Sequence, residues 1–183
     1  MNRIELNRAV RADATELIAA NRASQDYHLP WCTPFTDQAG FDAWFGRCLT
    51  GPHVGLIARE RLSGRIVGVV NITEIVLGTF QGAYLAYYGM SDFARKGLMT
   101  EAVRAAIGVA FHDFGLHRLE ANIQPGNQAS IALVRRLGFQ REGFSQNYLR
   151  ISGEWRDHER WALVFDPSDA VVETTQRTGQ PIC

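Results

Sequence analysis

The chain holds no apolar stretch long enough to cross a bilayer, and Met1 to Val10 has no apolar core of the signal-peptide kind. Its charges cancel, with 19 Lys and Arg against 19 Asp and Glu. A balanced chain has no basic field for gripping phosphate backbones, so direct nucleic-acid or membrane binding is not expected. Cysteine is scarce. Cys32, Cys48 and Cys183 are odd in number and irregularly spaced, which reads as reduced thiols rather than a disulfide framework. No Cys/His cluster has zinc spacing, so no metal is expected. Internal repeats, linkers and low-complexity runs are missing too. With 183 residues, nearly half of them apolar, the chain is long enough for one sizeable core. The expectation is a single cytoplasmic domain over residues 1–165 and a polar tail over 166–183.

What stands out is Tyr88 to Ala102. A strand runs into a short basic turn, Ala94-Arg95-Lys96-Gly97, and the turn runs into an amphipathic helix. Met99, Ala102, Val103, Ala106, Ile107, Ala110 and Phe114 recur at helical spacing, and Gly115 is a C′ stop. The first N–H groups of a helix have no partner within it, and its dipole favours an anion there. Arg95 and Lys96 carry the matching charge, and Gly97 lets backbone approach a ligand closely. A phosphate or pyrophosphate is the implied guest. Taken alone, the segment is better explained as a surface turn with two solvated cations. It is neither a Walker loop nor a dinucleotide fingerprint, which need more glycines at fixed spacing.

Around this segment the pattern predicts helices over 12–25 and from a cap at Thr36 or Asp37 to Leu49, with an aromatic loop, 26–35, between them. Strands are predicted over 54–59, 65–75, 82–90 and 118–123, a short helix over 127–137, and a last strand pair around Ser152-Gly153. Irregular alternation of strands and helices implies a mixed sheet with helices on its faces. Asn127 is an N-cap and Gly138 a C′ residue of the short helix. Glu120, Asn122 and Gln124 alternate with apolar neighbours and so share one face of their strand. If that face is open they are solvated surface; if it borders the anion turn, Glu120 is a candidate base. His28, His117 and His158 read as structural, since none sits in a triad pattern with Ser or Cys. Trp31 and Trp155 fit either core aromatics or the wall of an acceptor site.

Together these pieces resemble the GNAT N-acetyltransferases. That family's pyrophosphate turn, Gln/Arg-x-x-Gly-x-Gly/Ala, is matched loosely by Ala94 to Met99, and its next strand and Asn-initiated helix by Glu120 to Phe139. Within the superfamily the likeness is to the RimJ/RimL group of ribosomal-protein alanine N-acetyltransferases. It rests on Lys96 to Ala102, Leu137-Gly138-Phe139, Glu142-Gly143-Phe144, Trp155-Arg156-Asp157-His158 and the loop around Leu29-Pro30-Trp31. Two positions depart from the pattern: Ala94 stands for Gln or Arg, and Met99 for Gly or Ala.

The resemblance implies a mixed, mostly antiparallel twisted sheet of α/β (α+β) class, and acetyl-CoA as co-substrate. Met90, Ser91, Arg95, Lys96, Gly97, Leu98, Met99, Thr100, Asn127 and Ser130 would hold it, with a backbone N–H near Met90 polarising the thioester. Many members carry a Tyr in the short helix as acid to the departing thiolate; Val134 takes that place here, which makes Ser130 the candidate donor. Glu120 is the candidate base, with Asn122 orienting a water. Tyr27, Leu29, Trp31, Tyr88 and Trp155 would line the acceptor side. The implied partner is a peptide or protein N-terminus, a ribosomal protein among them, and a homodimer stays open. A small-molecule amine (an aminoglycoside or polyamine) and a non-catalytic acyl-CoA-binding protein of the same fold are the alternatives.

Overall fold

The computed structural model describes residues 2–166. Residues 167–183 of the expected tail, Cys183 among them, lie outside these. Seven strands form one sheet: β1 (Ile4–Arg8), β2 (Val54–Glu60), β3 (Ile66–Val76), β4 (Gly82–Gly89), β5 (Arg118–Ile123), β6 (Gln140–Ile151) and β7 (Glu154–Val164). Their spatial order is β1-β2-β3-β4-β5-β7-β6. Every neighbouring pair is antiparallel except β4 with β5. The mixed, mostly antiparallel sheet with helices on both faces is therefore as expected.

The five helices are α1 (Ala14–Ala23), α2 (Gln25–His28), α3 (Gln38–Thr50), α4 (Leu98–Gly108) and α5 (Gln128–Arg136). Asp37 caps α3 by accepting from the Gly40 N–H at 2.8 Å. Strand register assigns the helices to faces. Gly55 lies opposite Asn71, and Asn71 opposite Ala86. Trp44 of α3 donates to Asn71 Oδ1 at 2.9 Å, so α3 covers the face that also carries Tyr84, Ala86 and Tyr88. The other face carries Val70, Ile72, Leu85 and Tyr87, and α4 and α5 lie on it. Buried Ala102, Val103 and Ala106 of α4, with Ile131 and Val134 of α5, close the core there.

Three elements differ from the sequence reading. β1 was not expected: only Ile4 and Leu6 alternate with polar residues, too short a signal, and pairing to β2 supplies the rest. Part of the expected loop 26–35 is the single turn α2. The expected helix 98–114 ends as α-helix at Gly108 and widens into a π-turn, Val109–Asp113, before Gly115 at φ +62°.

Candidate active site

β4 and β5 pair only over Gly82–Tyr84 with Arg118–Glu120. Beyond that rung the two parallel strands separate, which leaves a cleft between Leu85–Gly89 and Ala121–Ile123. Antiparallel pairing points successive backbone groups alternately to either side. The Met90 N–H donates to the Val67 carbonyl at 2.8 Å, on the β3 side. The N–H and C=O groups of Tyr87 and Gly89 therefore face the cleft. The Met90 amide is thereby occupied, and its side chain is buried.

A cavity of about 190 Å³ runs through this cleft, touching Tyr87 on one face of the sheet and Tyr88 on the other. His28 closes one wall. Its Nε2–H donates to the Gly89 carbonyl at 2.9 Å, since a carbonyl can only accept. Nδ1 is buried without a hydrogen-bond partner, and burial lowers the imidazole pKa, so the ring is neutral near pH 7. Burial also raises the Tyr88 phenol and pushes the Tyr87 phenol up to about 12 and the Cys32 thiol to about 11. No carboxylate lines the cavity among the described residues. It is an uncharged, partly apolar space, where a fixed dipole acts more strongly than in water.

The anion turn lies at one end. Arg95 and Gly97 adopt left-handed φ of +60° and +77°. Gly97 is the N-cap of α4 without side-chain capping, and its carbonyl receives the Thr100 and Glu101 N–H groups. Leu98 is buried in the core. Lys96 Nζ sits 5.2 Å from the Phe93 ring centre, and Arg3 reaches across from the chain start to ion-pair with Glu101. The Ser91 N–H donates to Ser24 Oγ at 3.1 Å, which ties the turn to α1.

On the opposite wall Asn127 Oδ1 caps α5 by accepting from the Ser130 N–H at 3.1 Å. The Tyr87 hydroxyl donates to the Ser130 carbonyl at 3.3 Å. Ser130 lines the cavity, and its own hydroxyl makes no hydrogen bond among the described residues. Val134 is fully buried in the core.

Glu120, Asn122 and Gln124 do share a face, with three different environments. Glu120 stands on the last paired rung and accepts from Arg118 Nε at 2.8 Å, while Arg118 also grips Glu142. It does not line the cavity. Asn122 lies two residues further along β5, beyond the β4 pairing, and does not line the cavity either; its buried Oδ1 has no partner. Gln124 donates to the Trp31 carbonyl at 3.2 Å.

Trp31 lines the cleft cavity and also a second one of about 340 Å³, bounded by Gln124, Trp155 and Asp157. It is the wall between two compartments. Tyr27 and Leu29 lie beside it, and both are about half exposed. Trp155 is mostly exposed and belongs to the outer compartment, whereas Tyr88 belongs to the inner one. His28, read from the sequence as structural, lines the cavity. Its one signal was its place among aromatics, which equally marks a buried structural histidine.

Residues 3–140 match the acetyltransferase (GNAT) domain family. The chain is 44% identical over 98 residues to the ribosomal protein uS5-alanine N-acetyltransferase of Escherichia coli, covering 54% of this chain and only 50% of that protein. Among solved structures, the ribosomal-protein-S5-alanine acetyltransferase of Vibrio fischeri superposes with a TM-score of 0.80 at 25% identity, covering 91% of this chain and 96% of the other. Mycobacterium smegmatis RimJ in complex with CoA-disulfide gives 0.79 at 23% identity, over 94% and 89% of the two chains. At that identity the second likeness speaks for the fold alone. With its matching domain and its cleft between β4 and β5, the chain belongs to the GNAT acetyltransferase family of acyltransferases.

Proposed function

We propose that this protein transfers an acetyl group from acetyl-CoA to the N-terminal α-amine of a peptide or protein, with a ribosomal protein beginning in alanine as the first candidate. The observation that carries this is the free β4 edge inside a neutral cleft. That cleft has a helix N-terminus at one end and an aromatic, two-compartment mouth at the other. The family membership and the names of the two relatives support the donor and the acceptor class.

The roles follow from the geometry. The amides from Arg95 to Met99, with Lys96 nearby, suit a diphosphate. The outward N–H and C=O of Tyr87 suit the amides of an extended pantetheine arm. The Gly89 N–H, rather than that of Met90, is the donor for the thioester oxygen as charge develops on it. His28 occupies the Gly89 carbonyl, so that this acceptor does not compete for the incoming amine. The amine attacks directly: the new C–N bond forms as the C–S bond breaks, and the proton lost by the amine nitrogen replaces, through water, the one that Ser130 Oγ–H hands to the leaving thiolate. An α-amine has a pKa of about 7.7–8.0 and is partly neutral at pH 7. Asn122 Oδ1, unpartnered on the same strand as Glu120, is the candidate to orient a water. Any proton taken by Glu120 passes through water.

A polycation fits less well, because the cleft has no carboxylate and the outer compartment has Asp157 alone. Initial rates with acetyl-CoA decide the matter, measured on peptides of varied first residue, spermidine and an aminoglycoside. Peptides beginning in small residues are expected to lead by kcat/KM. Preference for spermidine or the aminoglycoside would give the acceptor to small molecules. Tight acetyl-CoA binding without transfer to any amine would leave a binding protein.

A further inference from the structure

Met99 stands in the first turn of α4 where the family pattern has Gly or Ala. Its side chain folds down onto the sheet. Gly68 and Gly89 lie directly opposite each other across β3 and β4. A Cβ on Gly68 would come within 2.4 Å of Met99 Sδ, and one on Gly89 within 2.8 Å of Met99 Cγ. The two bare glycines thus form a bed that the Met99 side chain fills. Met99 lines the cleft cavity together with Gly89 and Ser130, the residues that flank the reacting thioester in the reading above.

We propose that Met99 sets the acyl length of the donor, restricting this protein to acetyl-CoA by filling the space beside Gly89 that further acyl carbons would need. The proposal rests on the acyl-CoA reading of the cleft. A methionine is flexible, but here the helix turn and the two-strand bed confine it. One extra methylene that a closed apolar pocket cannot take changes selectivity by roughly 10–200-fold.

Acetyl-, propionyl- and butyryl-CoA are compared as donors to one N-terminal peptide, using the native protein, Met99→Ala, Met99→Val and Met99→Leu. The native protein should favour acetyl over propionyl at least about tenfold. Met99→Ala and Met99→Val should lower that ratio about tenfold or more, and Met99→Leu, of similar volume, should hold it within about threefold. Calorimetric Kd values for the three thioesters read the same ratios with no acceptor present. The inference therefore stays testable even if no amine is acetylated, an outcome that would sink only the proposed activity. An unchanged acetyl-to-propionyl ratio in Met99→Ala and Met99→Val, or a native protein indifferent to acyl length, overturns it.

Discussion

Adding one methyl group to either glycine of the Gly68–Gly89 pair should cost very different amounts. Neither residue has a left-handed φ, so the cost is steric. At Gly68 the new Cβ would lie 2.4 Å from Met99 Sδ and also 2.4 Å from the Tyr88 carbonyl oxygen. The second contact is backbone within the β3–β4 ladder and cannot swing away. At Gly89 the close atoms are Met99 Cγ at 2.8 Å and Sδ at 3.5 Å, with the Val67 oxygen at a comfortable 3.7 Å. Overpacking costs about 1–3 kcal/mol, and replacing Gly by Ala returns about 0.4–1 kcal/mol by restricting the unfolded chain. Gly68→Ala belongs at or above the top of that range, a net loss of about 2–3 kcal/mol, and Gly89→Ala near a net 1 kcal/mol. For a chain of this size 1 kcal/mol moves Tm by about 2–4 °C, so drops of about 4–12 °C and 2–4 °C are expected. Adding Met99→Ala separates the causes. In a double-mutant cycle it should remove most of the Gly89→Ala penalty and little of the Gly68→Ala penalty. Thermal unfolding followed by circular dichroism reads all six proteins. Equal rescue of both glycine variants, or a Gly68→Ala protein as stable as the native one, would refute the packing argument.

His28→Leu should lower kcat by about tenfold or more with little change in KM for acetyl-CoA, and His28→Gln, which keeps an N–H donor, should restore much of it. Burial depresses the folded pKa of His28 and His158, so the unfolded chain binds protons more readily; their contribution to stability is present above about pH 6.5 and lost as pH falls below it, which a pH series of melts detects, with a shallower slope in His28→Gln. Ser130→Ala should cut turnover by about 10²–10⁴-fold with a near-native Kd for CoA, whereas Asn127→Ala should lose about 1 kcal/mol of stability through its cap; equal turnover in Ser130→Ala would reduce Ser130 to a helical residue. The pH–rate profile should follow the acceptor amine, and Glu120→Gln should leave it in place; a shift to higher pH in that variant would make Glu120 the base after all.

Sequence patterning found what local chemistry dictates. Asp37 and Asn127 cap helices where the caps were read, Ser152-Gly153 closes the last hairpin with positive φ at both residues, and the basic turn does precede α4. Long-range register escaped it. Nothing local in Leu85 to Gly89 says that β4 parts from β5 after three residues, and that parting sends the Gly89 N–H and carbonyl into the cleft while the Met90 amide goes to β3. Period two put Glu120 and Asn122 on one face correctly, but it could not tell a rung paired to β4 from a residue beyond that pairing. Met99 read as a departure from a motif; its meaning came from two glycines on strands 31 and 10 residues before it, invisible until the strands align.

The parted strands have one more consequence. A gap in a sheet that an extended, amide-bearing arm can bridge recognises that arm, not the small group at its tip. CoA after transfer has lost only the acetyl group, so on the proposed reading nearly every backbone contact that held the donor still holds the product. Chemistry can then outrun departure, and the slow event of the cycle becomes the peeling of spent CoA from the β4 edge, which makes free CoA a strong competitor of its own donor.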